Sequence, residues 1–286
     1  MSDDSMSIKE LLIKNEVGLK KSLGQNFLID ANISNKIIKL SAIDKYSNVL
    51  EIGAGIGALT TLLSQAAKSV IAVELDSRLI PLLNDVLKPY DNVRVIQGDI
   101  LKLDIKNIVK ENFGDLPCSV CANLPYNITT PALTVLIEAD VFDNITVMIQ
   151  REVAQRICAK PGTSDYGAFT LYANYHTTPE ILFDVSPECF IPKPKVYSSV
   201  INMKIKKDKK LLPEDEKLMF KVIRAAFGQR RKTLVNALYS VFRDSLDKAQ
   251  IEGVIAKCGF DTRIRGEVLS LDDFMVLSEN IKKVTF

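Results

Sequence analysis

Up to about residue 150 the apolar positions gather into short runs separated by stretches of helical spacing. The runs SNVLEIG (47–53), SVIAVELD (69–76), NVRVIQGD (92–99), CSVCANLP (118–125) and NITVMIQ (144–150) read as strands. ALTTLLSQAA (58–67), SRLIPLLNDVL (77–87), a segment reaching about Phe113, and PALTVLIEA (131–139) read as helices, with Ser77 as a cap for the second. Strands alternating with helices predict βαβ units and a mainly parallel sheet, an α/β fold. In such sheets a ligand binds beyond the carboxyl ends of the strands, so the informative residues should follow each strand directly.

From residue 206 the pattern changes. A charged linker (206–217) leads into four stretches of helical periodicity: KLMFKVIRAAF (217–227), KTLVNALYSVF (232–242), KAQIEGVIAKCG (248–259) and LDDFMVLSENIKKV (271–284). SLDD opens the last of these and Gly259 closes the one before it. The 286 residues therefore divide into an α/β domain, 1–205, and a small all-helical domain, 206–286.

Composition narrows the classes. Apolar residues at 47% and charged residues at 25% describe a globular chain able to bury a sizeable core. No run approaches the ~18 consecutive apolar residues of a membrane span, and MSDDSMSIKE lacks the basic start and apolar stretch of a secretory leader. Five cysteines, an odd number, point to reduced thiols and the cytoplasm. Cys118 and Cys121 form C-x-x-C without a second pair, inside a run that reads as a buried strand, so no metal site is expected. The one histidine, His176, sits among apolar and aromatic neighbours as a structural residue would, which argues against a Ser-His-Asp hydrolase.

Charge is informative through its placement. Residues 1–192 carry 17 basic and 23 acidic side chains, a net of −6, and residues 193–286 carry 20 and 12, a net of +8. The C-terminal excess suits a polyanion, nucleic acid above all. A solvated linker is the rival reading, because KIKKDKK (204–210) supplies five of the positive charges.

Three positions at strand ends describe a nucleoside-containing cofactor. Gly53-Ala-Gly55-Ile-Gly57-Ala58 follows the first strand, where glycines permit a tight turn and close approach of a ligand. Glu74, 21 residues after Gly53, can accept bonds from ribose hydroxyls. Asp99 can accept from an adenine amino group, or can cap the following helix. NAD and S-adenosylmethionine both fit. ATP does not, because the P-loop lysine is missing. The fourth strand ends in Asn123-Leu124-Pro125-Tyr126. Proline keeps Leu124 extended, an Asn oxygen and a main-chain carbonyl form two acceptors for a planar amine, and Tyr126 offers a stacking face. This arrangement is a receptor for the exocyclic amine of adenine, and a hydride-transfer enzyme would leave it unexplained.

Taken in order, GQNFL (24–28), LEIGAG (50–55), VELD (73–76), GD (98–99), NLPYN (123–127), FIPKPKV (190–196) and AFGQRRKTL (226–234) make the chain resemble the ribosomal RNA adenine dimethyltransferases, in particular their small-subunit branch. The resemblance implies a Rossmann-like class I methyltransferase domain and S-adenosylmethionine as cofactor. It also implies N6,N6-dimethylation of adjacent adenines near the 3′ end of 16S rRNA, in a 30S subunit or its precursor; a monomer is the expected state. By the same resemblance Asn26 and Leu28 bind the cofactor, Gly53 and Gly55 approach its methionine part, Glu74 takes the ribose and Asp99 the adenine. Asn123 is shared between cofactor and target amine, with Leu124 and Pro125 shaping the backbone acceptors. Tyr126 and Phe190 sandwich the target base, although the residues alone favour core packing for Phe190.

The amine is a poor nucleophile, so the reaction rests on positioning and electrostatics, with the target base drawn out of its stack. Arg224, Arg230, Arg231 and Lys232 form a basic cluster suited to phosphates, and helical spacing predicts Arg224 and Arg231 two turns apart on similar faces. Two other readings remain at this point: a 23S rRNA methyltransferase of the macrolide-resistance type, and an assembly or transcription factor that keeps the fold without turnover.

Overall fold

The computed structural model describes residues 24–208 and 211–285. The start of the chain, on which the expectation of no leader falls, and two lysines of the charged linker lie outside the described residues. The chain forms two compact units, one up to Ala154 with 180–205, the other 155–179 with 206 onward. The division between 205 and 206 is present, and the difference from the expected 1–205 domain is that 155–179 leaves it and joins the helices. The reason is apolar burial: Tyr166, Leu171 and Tyr175 share one core with Met219, Ile223, Leu238 and Phe274.

The first unit begins with β1 (Phe27–Leu28) and α1 (Ala31–Leu40), then alternates: β2 (Asn48–Ile52), α2 (Ala58–Ala66), β3 (Ser69–Glu74), α3 (Ile80–Leu87), β4 (Val93–Gln97), α4 (Ile105–Phe113), β5 (Cys118–Asn123), α5 (Thr129–Ala139) and β6 (Asn144–Gln150). The chain continues through α6 (Arg151–Ile157) and α7 (Ala168–His176) to β7 (Thr177–Val185), β8 (Phe190–Ile191) and β9 (Ser198–Ile205). Seven strands form one sheet in the order β4-β3-β2-β5-β6-β9-β7. β2 pairs in parallel with both β3 and β5, and β9 runs antiparallel to β6. All five residues of β2 are buried, as expected for a strand covered on both faces. The chain steps outward from β2 to β4 and then returns to β5, so the switch in strand order lies between Ile52 and Asn123.

Strand and helix cores match the apolar pattern, with local differences. Ser77 does not cap α3. Asp76 instead accepts the Arg78 amide on its carboxylate and the Leu79 amide on its carbonyl, and the resulting turn delays the helix to Ile80. Cys118 and Cys121 are buried on β5, where desolvation pushes the Cys118 thiol up to about 12 and that of Cys121 higher still.

The second unit holds α7 with α8 (Pro213–Gly228), α9 (Leu234–Phe242), α10 (Lys248–Lys257) and α11 (Leu271–Thr285). Ser270 and Asp273 exchange side-chain-to-amide bonds at the start of α11. Gly259, at φ +83°, lets the Phe260 amide return to the Ile255 carbonyl and close α10. His176 is buried against Tyr172, Tyr175 and Phe220, a structural histidine. Among the described residues no helix is long and apolar enough to cross a membrane.

Candidate active site

The carboxyl ends of β2, β3 and β5 and the turn after β4 open on a cleft of about 1100 Å³, counting space open to solvent. Asn26, Leu28, Gly53, Gly55, Glu74, Asp99, Asn123, Leu124, Pro125 and Tyr126 all line it. The turn after β2 needs its glycines: Gly55 sits at φ +60°, and a Cβ there would lie 2.9 Å from the Phe27 ring. Glu74 braces this turn. Its carboxylate accepts from the Gly55 amide at 2.7 Å and from the Asp76 amide at 2.8 Å. Burial raises the Glu74 pKa, while the two amide donors oppose that rise. Asp99 accepts from the Leu101 amide at 3.1 Å and lies 3.5 Å from Lys102 Nζ. Asp104, not Asp99, caps α4, which removes the capping reading of Asp99.

The lead-in segment forms one wall. The Asn26 side chain donates to the Gly24 carbonyl at 3.1 Å, and Gln25 Nε2 donates to Asp76 Oδ2 at 3.1 Å. The Arg78 guanidinium holds the Asp76 carboxyl down to about 2, with Gln25 assisting against desolvation. Asn123 Nδ2 donates to the Asn26 carbonyl at 3.0 Å, which leaves its Oδ1 as the acceptor of that side chain. After Asn123, the Leu124 amide is tied to the Met148 carbonyl and Pro125 is extended at ψ 131°. Tyr126 then opens a single 3₁₀ turn, its hydroxyl 2.6 Å from Ser198 Oγ.

Phe190 departs from the expected arrangement. β8 pairs with β1, Leu28 opposite Phe190, and the ring is 2% exposed in a core shared with Ile37 and Val200. It is not among the residues that line the cleft, whereas Tyr126 is. Core packing is what this structure gives Phe190, because the short ladder turns it inward.

Sequence reasoning missed Glu51. It sits mid-strand on β2, 2% exposed, lines the cleft, and among the described residues its Oε2 has no hydrogen-bond partner. Burial pushes its carboxyl up to about 8, with the Thr60 hydroxyl opposing the rise and Glu74 adding repulsion. An acidic residue inside an otherwise apolar strand was the available signal.

The basic cluster is also rearranged. α8 ends at Gly228, so Arg231 and Lys232 lie in the turn before α9, which Thr233 caps, and Arg231 shares no helical face with Arg224. Arg230 donates from Nη2 to the Ser164 carbonyl at 2.8 Å and lies 3.7 Å from Glu267, which commits it within its own unit. Arg224, Arg231 and Lys232 are exposed, as is Arg230 despite these bonds.

Comparison with known proteins adds the following. The chain matches the family described as "Ribosomal RNA adenine dimethylase" over residues 17–273. It is 48% identical to the ribosomal RNA small subunit methyltransferase A of Lachnoclostridium phytofermentans, covering 95% of this chain and 94% of that protein. It is 43% identical to the protein of the same name from Anoxybacillus flavithermus, covering 97% and 95%. Among solved structures, a dimethyladenosine transferase from Plasmodium falciparum matches with a TM-score of 0.76 at 27% identity, covering 90% of this chain and 98% of that one. The 23S rRNA methyltransferase ErmE shares the fold, with a TM-score of 0.69 at 22% identity over 90% and 99%.

Proposed function

The chain belongs to the ribosomal RNA adenine dimethylase family, and from that premise we propose that it dimethylates N6 of adjacent adenines near the 3′ end of 16S rRNA. It is an rRNA adenine N6-methyltransferase, and S-adenosylmethionine is its cofactor. In this reading it works in the cytoplasm as a monomer, on the 30S subunit or its precursor, during small-subunit assembly. Its similarity to relatives named for the small subunit supports the 16S substrate.

The residues present fit the cofactor. The unpartnered, buried Glu51 Oε2 in the cleft lining suits the ammonium of its methionine part, beside the turn at Gly53 and Gly55. Glu74 would take the ribose, Asp99 the adenine amine, and Asn26 and Leu28 would cover that side of the cleft. The cofactor supplies an electrophilic methyl on a sulfonium.

The observation that carries the reading is the commitment of Asn123 Nδ2 to the Asn26 carbonyl. With Nδ2 turned to that carbonyl, Asn123 Oδ1 is left to accept from the target amine, and the Leu124 carbonyl is the second acceptor. Two acceptors favour a tetrahedral nitrogen with its lone pair aimed at the methyl, a gain from positioning that needs no general base before attack. Tyr126 supplies the stacking face, and Phe190 would act through the wall behind it. Arg224, Arg231 and Lys232 would contact phosphates. Residues 206–286, the small helical part, would carry the RNA-binding role and 1–205 the methyl-transfer chemistry, with 155–179 packed among the helices.

The test offers labelled S-adenosylmethionine with undermethylated 30S particles, 50S particles and protein-free 23S rRNA, and identifies the labelled nucleosides. Dimethyladenosine from 30S particles alone is the expected result. Label in 23S rRNA would move the protein to the other branch, and no label anywhere despite cofactor binding would favour an assembly factor.

A further inference from the structure

Tyr126 is tethered at both ends of its ring. Its main chain opens the 3₁₀ turn Tyr126–Ile128, and its hydroxyl shares a 2.6 Å hydrogen bond with Ser198 Oγ. Ser198 is the first residue of β9, fully buried, and in register with Gln150 at the end of β6. Its position is therefore set by the sheet itself.

A tyrosine has two side-chain torsions. Fixing the hydroxyl fixes the direction of the ring axis. Because the phenolic hydrogen lies in the ring plane, a partner to one side also biases rotation about that axis. Burial raises the Tyr126 pKa, which keeps the hydroxyl protonated at neutral pH and able to donate or accept. A buried serine hydroxyl without a partner would lose the hydrogen bonds it made to water, so the pairing suits both groups.

We infer that Ser198 is a positioning residue for methyl transfer: it holds the Tyr126 ring in the plane on which the target adenine stacks. The inference rests on the stacking role proposed above for Tyr126. Ser198 touches neither cofactor nor base and acts through the ring alone. The bond adds no binding energy of its own to the RNA. It removes ring orientations in which the amine would miss Asn123 and the methyl group.

The experiment compares Ser198→Ala, Tyr126→Phe, their double variant, Ser198→Thr and Tyr126→Ala, measuring kcat and KM on undermethylated 30S particles, S-adenosylmethionine affinity and Tm. Ser198→Ala and Tyr126→Phe each should lower kcat/KM for RNA about 10-fold, the scale of a modest misplacement. The double variant should fall no further than either single one, cofactor affinity should not move, and Ser198→Thr should recover most of the rate. Wild-type kcat/KM for Ser198→Ala, or a double-variant loss equal to the product of the single losses, overturns the inference. Tyr126→Ala separates the two levels. If it is as active as wild type, the stacking role itself fails. If it is inactive while Ser198→Ala is unaffected, only the anchor fails. Should Ser198→Ala not fold, Tyr126→Phe decides alone, a rate deficit at unchanged Tm supporting the anchor and full activity overturning it.

Discussion

The side-chain amide of Asn123 donates to the main-chain carbonyl of Asn26 across 97 residues of sequence, at 3.0 Å. The end of β5 and the lead-in segment are thereby joined at the atom pair that sets which way the Asn123 carboxamide faces. Asn123→Ala should lower kcat by ~10²–10³-fold, the usual effect of removing one preorganised polar group at a reacting centre. Asn123→Asp should do comparable harm, because a carboxylate cannot donate to the Asn26 carbonyl and is repelled by it. Single-turnover methylation of 30S particles measures both, and a loss under threefold in either would remove Asn123 from the reaction.

Gly55 combines a left-handed backbone with a Cβ position 2.9 Å from the Phe27 ring. Gly55→Ala should destabilise the protein by about 1–3 kcal/mol and displace the β1 wall of the cleft. Titration calorimetry should find S-adenosylmethionine binding weakened at least tenfold, on the order of 1.4 kcal/mol. Unchanged affinity would show that the turn tolerates a side chain.

Glu51 predicts a pH effect whose sign is fixed. Its carboxyl is raised by burial from 4.5 to about 8, so between those values the folded protein holds a proton that the unfolded chain has released. The stabilisation is complete below the unfolded value and declines as pH rises toward about 8. Glu51→Gln, neutral throughout, should lose less Tm than wild type between about pH 5 and pH 9, a difference worth a few kcal/mol at roughly 1.4 kcal/mol per unit. Parallel curves for the two proteins would exclude Glu51 as the source.

Arg230 and its neighbours should separate cleanly. Arg230→Ala breaks bonds to the Ser164 and Tyr166 carbonyls and should lower stability by about 1–2 kcal/mol. Arg231→Ala and Lys232→Ala should leave Tm unchanged, weaken RNA binding, and each reduce the salt-dependence slope by about 1. An Arg230→Ala variant with normal Tm and a lowered salt slope would reverse this assignment.

The parallel strands were legible because each is an apolar run closed by the residue that matters, as Ile52 is by Gly53 and Val73 by Glu74. β7 was not, since most of its residues are half-buried or exposed and carry no clear alternation. The assignment of 155–179 to the helical unit depends on tertiary burial of Tyr166, Leu171 and Tyr175, which local periodicity does not encode. Arg231 was misplaced because a basic run after an apolar helix looks helical until Gly228 ends it. At the cleft, side-chain types at strand ends revealed Glu74, Asp99 and Asn123, whereas the pairings Gln25–Asp76 and Tyr126–Ser198 join residues too distant in sequence to be read together.

The two-residue ladder between β1 and β8, extended by the Ile29 amide on the Cys189 carbonyl at 2.9 Å, joins Leu28 of the cleft lining and Phe190 in one cooperative patch. Such a patch frays or orders as a whole. A ligand that quiets the lead-in must then also quiet the strand carrying Phe190, and slower amide exchange at both is the form that communication takes.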